Sequence, residues 1–283
     1  MENIISLIYL ILAITTASNA NSVPQNQVLT HETTETIQLV NEAPLIMSGE
    51  NTDLVIADTN IDDTKENNNE EVTNKRQIDP TKPMVALTFD DGPNATTTNK
   101  ILDILEKNNA VATFFELGNL VERYPDVVRR EEELGCEVGN HSYEHKNLNT
   151  LSKAQIQADM KKSENAFINV LGHKTKLFRP PYGNANATVR STIEYPLINW
   201  NVDTLDWKSR NADKVVAHIR SFQNCDGKII LMHSIYNSTV KATEVIVPEL
   251  IAKGYQLVTV SELAYYKGFE TLSNGVIYRE FKP

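Results

Sequence analysis

From Met84 onward, short apolar runs alternate with stretches of helical periodicity, and that alternation constrains the fold more than any single residue. Candidate strands fall at 85–89, 112–116, 136–140, 177–179, 197–202, 228–233 and 256–260. Residues 97–109 form one helical pattern, with Ile101, Leu102 and Leu105 on one side. Ser152 and Gln155 form a capping box that opens another, in which Ile156, Met160, Phe167 and Leu171 recur at helical spacing. Gly135, Gly172 and Gly254 each follow a helical run, as a left-handed cap requires. Pro248 should kink or break the last helix. Strands alternating with helices over about 200 residues indicate parallel βαβ units, and about seven of them indicate an α/β barrel. No internal repeat accompanies the pattern.

The region ahead of the barrel has a different composition. Residues 4–14 are apolar apart from Ser6, and Ala17-Ser18-Asn19-Ala20 offers small residues where signal peptidase cuts. Residues 1–20 are therefore expected to be a signal peptide, with an uncleaved anchor as the alternative because Glu2 stands where a cation is usual. No other stretch is apolar enough to span a bilayer, so the mature chain is expected to be exported without a membrane span. Residues 21–80 hold twelve acidic and three basic residues, whereas 81–283 hold twenty-four of each. The net charge of −10 thus belongs to the amino-terminal part, which is expected to be a disordered acidic linker. The neutral remainder lacks the basic footprint of a nucleic-acid binder. The expected division is a catalytic domain over 81–270 and a tail over 271–283. Cys136 and Cys225 precede different strands, and barrel topology argues against joining them.

Five polar signals each stand at the carboxyl end of a candidate strand. In TFDDGP, Asp90 and Asp91 end the first strand, and a turn beginning at Asp91 can swing both carboxylates towards one point. His141 and His145 are four apart, which on a helical turn lets both imidazoles reach a single ion. With Asp91 they make a set of two histidines and one carboxylate that leaves coordination positions open. After 177–179 comes Arg179-Pro180-Pro181-Tyr182-Gly183, in which the first available N–H is that of Tyr182, on a stiff loop suited to an oxyanion. Arg179 can pair with a carboxylate through two hydrogen bonds. Asp203-Thr204-Leu205-Asp206-Trp207 and Leu231-Met232-His233 complete the series. An aspartate beside His233 would raise its pKa and make it a usable acid near neutrality. Taken singly, each of these fits an ordinary loop or a surface side chain.

Together, TFDDGP, HSYEH, RPPYG, DTLDW and LMH resemble the motif set of the polysaccharide deacetylases, the carbohydrate esterases that share a NodB homology domain. The resemblance runs from Val85 to about Leu263 and implies a distorted barrel of seven or eight strand–helix units. It further implies that Asp91, His141 and His145 hold a divalent metal, usually zinc, with cobalt or another ion possible. Asp90 would be the general base and His233 the general acid. Arg179 would orient Asp90, Asp206 would tune His233, and the Tyr182 N–H would help bind the oxyanion. Trp207 and Leu231 would line the pocket for the acetyl methyl. The implied substrate is an N-acetylglucosamine polymer, peptidoglycan before chitin, and the run DTLDWKSR is similar to bacterial peptidoglycan deacetylases. Acetyl-xylan de-esterification is one alternative. A non-catalytic carbohydrate-binding barrel is another, and it would need neither Asp90 nor His233.

Overall fold

The computed structural model of the chain describes residues 76–282, so the expected signal peptide and most of the acidic linker lie outside the described residues. The first half of the fold runs β1 (Met84–Asp90), α1 (Thr97–Lys107), β2 (Thr113–Glu116), α2 (Gly118–Arg123), α3 (Pro125–Glu133), β3 (Glu137–Asn140), α4 (Lys153–Leu171) and α5 (Ala187–Thr192). It continues with β4 (Leu197–Ile198), β5 (Val202–Asp203), α6 (Asp206–Ser209), α7 (Ala212–Arg220), β6 (Ile229–His233), α8 (Asn237–Ala252), β7 (Gln256–Leu257), α9 (Val260–Tyr266) and β8 (Ile277–Tyr278). The strands are parallel, in the order β3-β2-β1-β6-β5, with β7 also paired to β1 and β8 paired to β4. Phe178 bridges Asn140 on one side and Leu197 on the other, which carries the sheet round from β3 to β4. The expected α/β barrel is present and distorted: no ladder joins β4 to β5.

Alternation along the strands builds two apolar layers. On β1, Val85, Leu87 and Phe89 face outward and pack on Ile101, Leu102 and Leu105 of α1 and on Ile246, Val247 and Leu250 of α8. Met84 and Ala86 face inward, with Phe115 of β2, Ile229 of β6 and Val260, Leu263 and Ala264 of α9. The next inward positions on β1 are Thr88 and Asp90, so the interior is apolar at the base and polar at the top. Phe115 lies so close to Gly139 that a Cβ there would meet its ring at 2.5 Å, which is why β2 and β3 can approach at that point. Parallel strands bring all their carboxyl ends to one rim. Asp90 is in register with His233, and Glu116 with Asn140.

Several expectations are corrected. The 197–202 run is two short strands, Leu197–Ile198 paired to β8 and Val202–Asp203 paired to β6, and at the junction the Asn201 side chain adds bonds to that of its N–H to the Ile229 carbonyl. The side chain accepts from the Ile229 N–H at 3.1 Å and donates to Glu280 at 2.7 Å. At 177–179 only Phe178 pairs, through two isolated bridges. The 256–260 strand stops at Leu257, since Thr259 and Glu262 form a capping box that starts α9. Pro248 does not break α8, and it is not in the last helix. It is exposed, so the carbonyl that loses its partner can turn to water. Residues 276–281, read as tail, enter the fold: β8 pairs with β4 and Phe281 is fully buried. Arg76, read as linker, is held at the base by the Leu257 carbonyl at 2.6 Å and by Glu262. The capping box at Ser152 and the left-handed Gly172 are as expected. Cys136 and Cys225 are free and buried.

Candidate active site

Asp90 is the last inward residue of β1 and is 3% exposed. Simple alternation would send Asp91 outward. Its backbone takes a left-handed conformation instead (φ 70°), which Asp tolerates better than most residues, and its carboxylate returns to the rim. The turn passes close over its neighbours. A Cβ on Gly92 would collide with the Ser234 hydroxyl and meet Glu116 Oε2 at 2.7 Å, so a larger residue there would have to displace both side chains.

The two histidines reach Asp91 by a route other than the expected helical turn. Residues 141–145 form a loop, with Ser142 (φ 74°) and His145 (φ 58°) both left-handed. Side chains hold it: Asn140 Oδ1 accepts the Ser142 N–H at 2.8 Å and the Ser163 hydroxyl at 2.7 Å, and Ser142 Oγ accepts the His145 N–H at 3.0 Å. His141 Nδ1 lies 2.7 Å from the Arg179 carbonyl. A carbonyl only accepts, so Nδ1 carries the hydrogen and Nε2 presents its lone pair to the rim. Nε2 of His141 and of His145 stand 3.5 and 3.4 Å from Asp91 Oδ1. One ligand atom from each of the three residues falls within 4.8 Å of the others.

This trio fits a divalent cation. Asp91 Oδ1 is buried with no hydrogen-bond partner among the described residues, and two imidazole nitrogens converge on it. Burial pushes the Asp91 carboxyl up. The facing imidazoles, His141 first and then His233 and His145, outweigh that and bring it to about 2. Burial and the neighbouring His141 lower the pKa of His145, which keeps it neutral and able to ligate.

Asp90 and His233 flank the trio. Asp90 Oδ2 is 3.7 Å from His141 Nε2, and His233 Nε2 is 3.9 Å from Asp91 Oδ2. Arg179 is wholly buried beneath them. It donates to Asp90 Oδ1 at 2.6 Å, to Thr88 Oγ1 at 2.8 Å and to the carbonyls of Ile198 and Asn199, with its guanidinium 4.0 Å from the centre of the Phe115 ring. Removing one partner of such a buried pair typically costs about 3–5 kcal/mol, because the other charge is left without compensation. On the far side, Asp206 Oδ1 lies 2.8 Å from His233 Nδ1. Asp206 Oδ2 accepts the His233 N–H at 2.8 Å and the Thr239 hydroxyl at 2.7 Å. Burial pulls the His233 pKa down, but the bond and charge of Asp206 prevail and hold it above the usual value.

The remaining expected residues divide. Tyr182 follows two prolines with φ 60°, its ring 4.5 Å from that of His145 and 60% exposed at the rim. The neighbouring Gly183 carbonyl is pinned by the Asn199 amide at 3.0 Å. Leu231 is buried on the inward face of β6, two residues below His233. Trp207 is half exposed, and its backbone N–H donates to Asp206 Oδ1 at 2.7 Å. Thr88, Asn140 and Thr239 are given no role at the site by the sequence. Thr88 lies inside TFDDGP at an inward position, so alternation could have found it, whereas nothing in the sequence marks Thr239. A cleft of about 970 Å³ between α1 and α8, lined by Lys100, Asp103, Lys107 and Lys241 among others, includes none of these side chains.

Residues 77–195 match the family model described as polysaccharide deacetylase. The chain is 42% identical over 190 residues to the peptidoglycan-N-acetylmuramic acid deacetylase PdaC of Bacillus subtilis, covering 67% of this chain and 40% of that protein. It thus spans about two-fifths of the length of that relative. A peptidoglycan-N-acetylglucosamine deacetylase of Bacillus cereus is 35% identical over 199 residues, covering 68% of this chain and 92% of that protein. The solved structure of PdaC superposes with a TM-score of 0.65 at 42% identity, over 67% of this chain and 94% of that one. With the rim geometry and most of a whole relative's length matched, the chain belongs to the polysaccharide deacetylase family.

Proposed function

We propose that this chain hydrolyses the N-acetyl groups of N-acetylglucosamine residues in a cell-wall polysaccharide, peptidoglycan before chitin, and releases acetate outside the cell. One observation carries the reading. A buried carboxylate and a carboxylate-linked imidazole, Asp90 and His233, stand on either side of a two-histidine, one-aspartate cluster at distances of 3.7 and 3.9 Å. Asp91, His141 and His145 would hold the divalent ion, zinc in the first place. When bound, such an ion lowers the pKa of water from 15.7 to about 7 and polarises a carbonyl oxygen.

The chain's own residues supply the proton transfers. Asp90, oriented by Arg179, takes a proton from the attacking water. The Tyr182 N–H meets the oxyanion, a donor worth about 2.7–4 kcal/mol in comparable sites. His233, protonated through Asp206, gives its proton to the departing amine, which is otherwise a poor leaving group. Leu231 and Trp207 exclude water around the acetyl methyl.

The test is acetate release from purified peptidoglycan, chitin oligomers and acetyl-xylan, with and without a chelator. The expected result is release from peptidoglycan ahead of the others, lost with the chelator and restored by zinc. No release from any of the three would contradict the reading. Release from acetyl-xylan alone would move it to an ester substrate.

A further inference from the structure

One cation on the rim of this site has no carboxylate partner. Among the described residues, Arg76, Arg129, Arg130, Arg179 and Arg220 each have an acidic oxygen within 4.0 Å; Arg123, Arg190, Arg210 and Arg279 have none, and of these Arg210 stacks on the tyrosine that lies against His233. Its position is nevertheless fixed. Arg210 ends α6 in a left-handed conformation (φ 47°), and its Nε–H donates to the Trp207 carbonyl at 2.8 Å. The guanidinium carbon lies 3.3 Å from the centre of the Tyr236 ring. Tyr236 in turn lies against His233, with ring centres 5.7 Å apart. The three side chains follow one another from solvent, where Arg210 is exposed, to the general acid.

The bond to Trp207 uses only Nε, and both terminal amino groups are without a protein partner among the described residues. Those are the groups that meet a carboxylate through parallel hydrogen bonds. Stacking on Tyr236 and the bond to the backbone limit the freedom a long side chain would otherwise lose on binding.

We propose that Arg210, mounted on Tyr236, is a specificity residue that pairs with a carboxylate on the sugar next to the one being deacetylated, so that the site favours acidic glycans over neutral ones. The inference rests on the deacetylase reading above. In peptidoglycan the carboxylate belongs either to the lactyl ether of muramic acid or to the peptide attached to it, and the chemistry at Arg210 is the same.

The experiment measures kcat and KM for acetate release by the metal-loaded full chain and by its Arg210→Gln and Arg210→Lys variants. The substrates are three glycan oligomers of one length: lactyl carboxylates free, the same carboxylates amidated, and peptide-extended. For an exposed ion pair, Arg210→Gln should raise KM for a carboxylate-bearing oligomer about fivefold relative to the amidated one, with kcat little changed. Arg210→Lys should lose less, and added salt should shrink the wild-type preference. An effect on the free-lactyl oligomer assigns the carboxylate to the ether, and an effect only on the peptide-extended one assigns it to the peptide. An unchanged ratio overturns the proposal, including an equal fall on every oligomer, which is what a mere prop for Tyr236 would give. No acetate from any oligomer with wild type would instead overturn the deacetylase reading itself.

Discussion

The two ends of this barrel treat buried polar groups in opposite ways. At the base, Glu137 accepts from the Ser261 N–H and the Thr113 hydroxyl, both at 3.1 Å, and from the Ser261 hydroxyl. Nearby, Arg76 pairs with Glu262 at 2.5 Å and Lys267 with Asp226 at 2.6 Å. At the top, Asp91 Oδ1, both carboxylate oxygens of Glu116, Asn140 Nδ2 and Asn199 Oδ1 are buried without a hydrogen-bond partner among the described residues. Leaving such groups unmade typically costs about 1–3 kcal/mol each, more when charged. Thr97, Asn119, Glu131, Thr175 and Ser209 also have buried oxygens without such a partner, but only Asp91 Oδ1 faces two imidazole nitrogens, as a group kept open for an ion would. Stability resides mainly in the base and the outer layer, and chemistry in the rim.

The strongest test of that division is Asp90→Asn. It should lower turnover by at least about 10²–10⁴-fold, the range of a general base, while ion binding holds and the melting temperature falls, because the buried Arg179 loses its charged partner. An active Asp90→Asn protein would remove the base assignment. The mirror image at the base is Phe281→Ala. It should destabilise the fold by about 3–5 kcal/mol in urea unfolding yet leave kcat/KM of the folded protein near wild type. A large fall in kcat/KM would show that the two ends are coupled. Arg179→Ala straddles the division and should lose activity and about 3–5 kcal/mol of stability together. Loss of activity alone would mean that Asp90 finds water in place of Arg179.

Much of the rim was legible in the sequence because its chemistry is written in residue identity. Asp90, Asp91, His141, His145, Arg179, Asp206 and His233 all follow apolar runs, and parallel topology gathers strand ends whatever the detail between them. The mode of convergence was not legible. His141 and His145 meet through a loop held by Asn140 and Ser142 rather than through a helix, since left-handed backbone at two non-glycine residues leaves no mark in hydrophobic periodicity. The base was read least well, because its partners are remote in sequence. Arg76 reaches Glu262, and Phe281 packs under β6 through a bond from its N–H to the Gly227 carbonyl at 2.8 Å. The run Val258-Thr259-Val260 has strand-forming residues, but its capping box overrides that preference.

A smaller effect is expected where the rim meets the outer layer. Glu116 and Glu131 are both fully buried. Burial, and for Glu116 also the charge of Glu131, holds these carboxyls well above the ordinary range. Between about pH 4.3, the unfolded value, and the raised folded values, the folded chain binds more protons than the unfolded one. Stability therefore falls as pH rises through that window. Glu131→Gln removes one titrating partner and should make the fall in urea midpoint with pH shallower. An unchanged slope would show that the pair does not set it.

The central claim is that Asp91, His141 and His145 together hold one functional divalent ion. Its most direct measurement is acetate release by chelator-stripped protein as zinc is titrated back. The account predicts activity that starts at background, rises with added ion and saturates at one ion per chain. Full activity in the stripped protein, or saturation that survives Asp91→Ala unchanged, would contradict it.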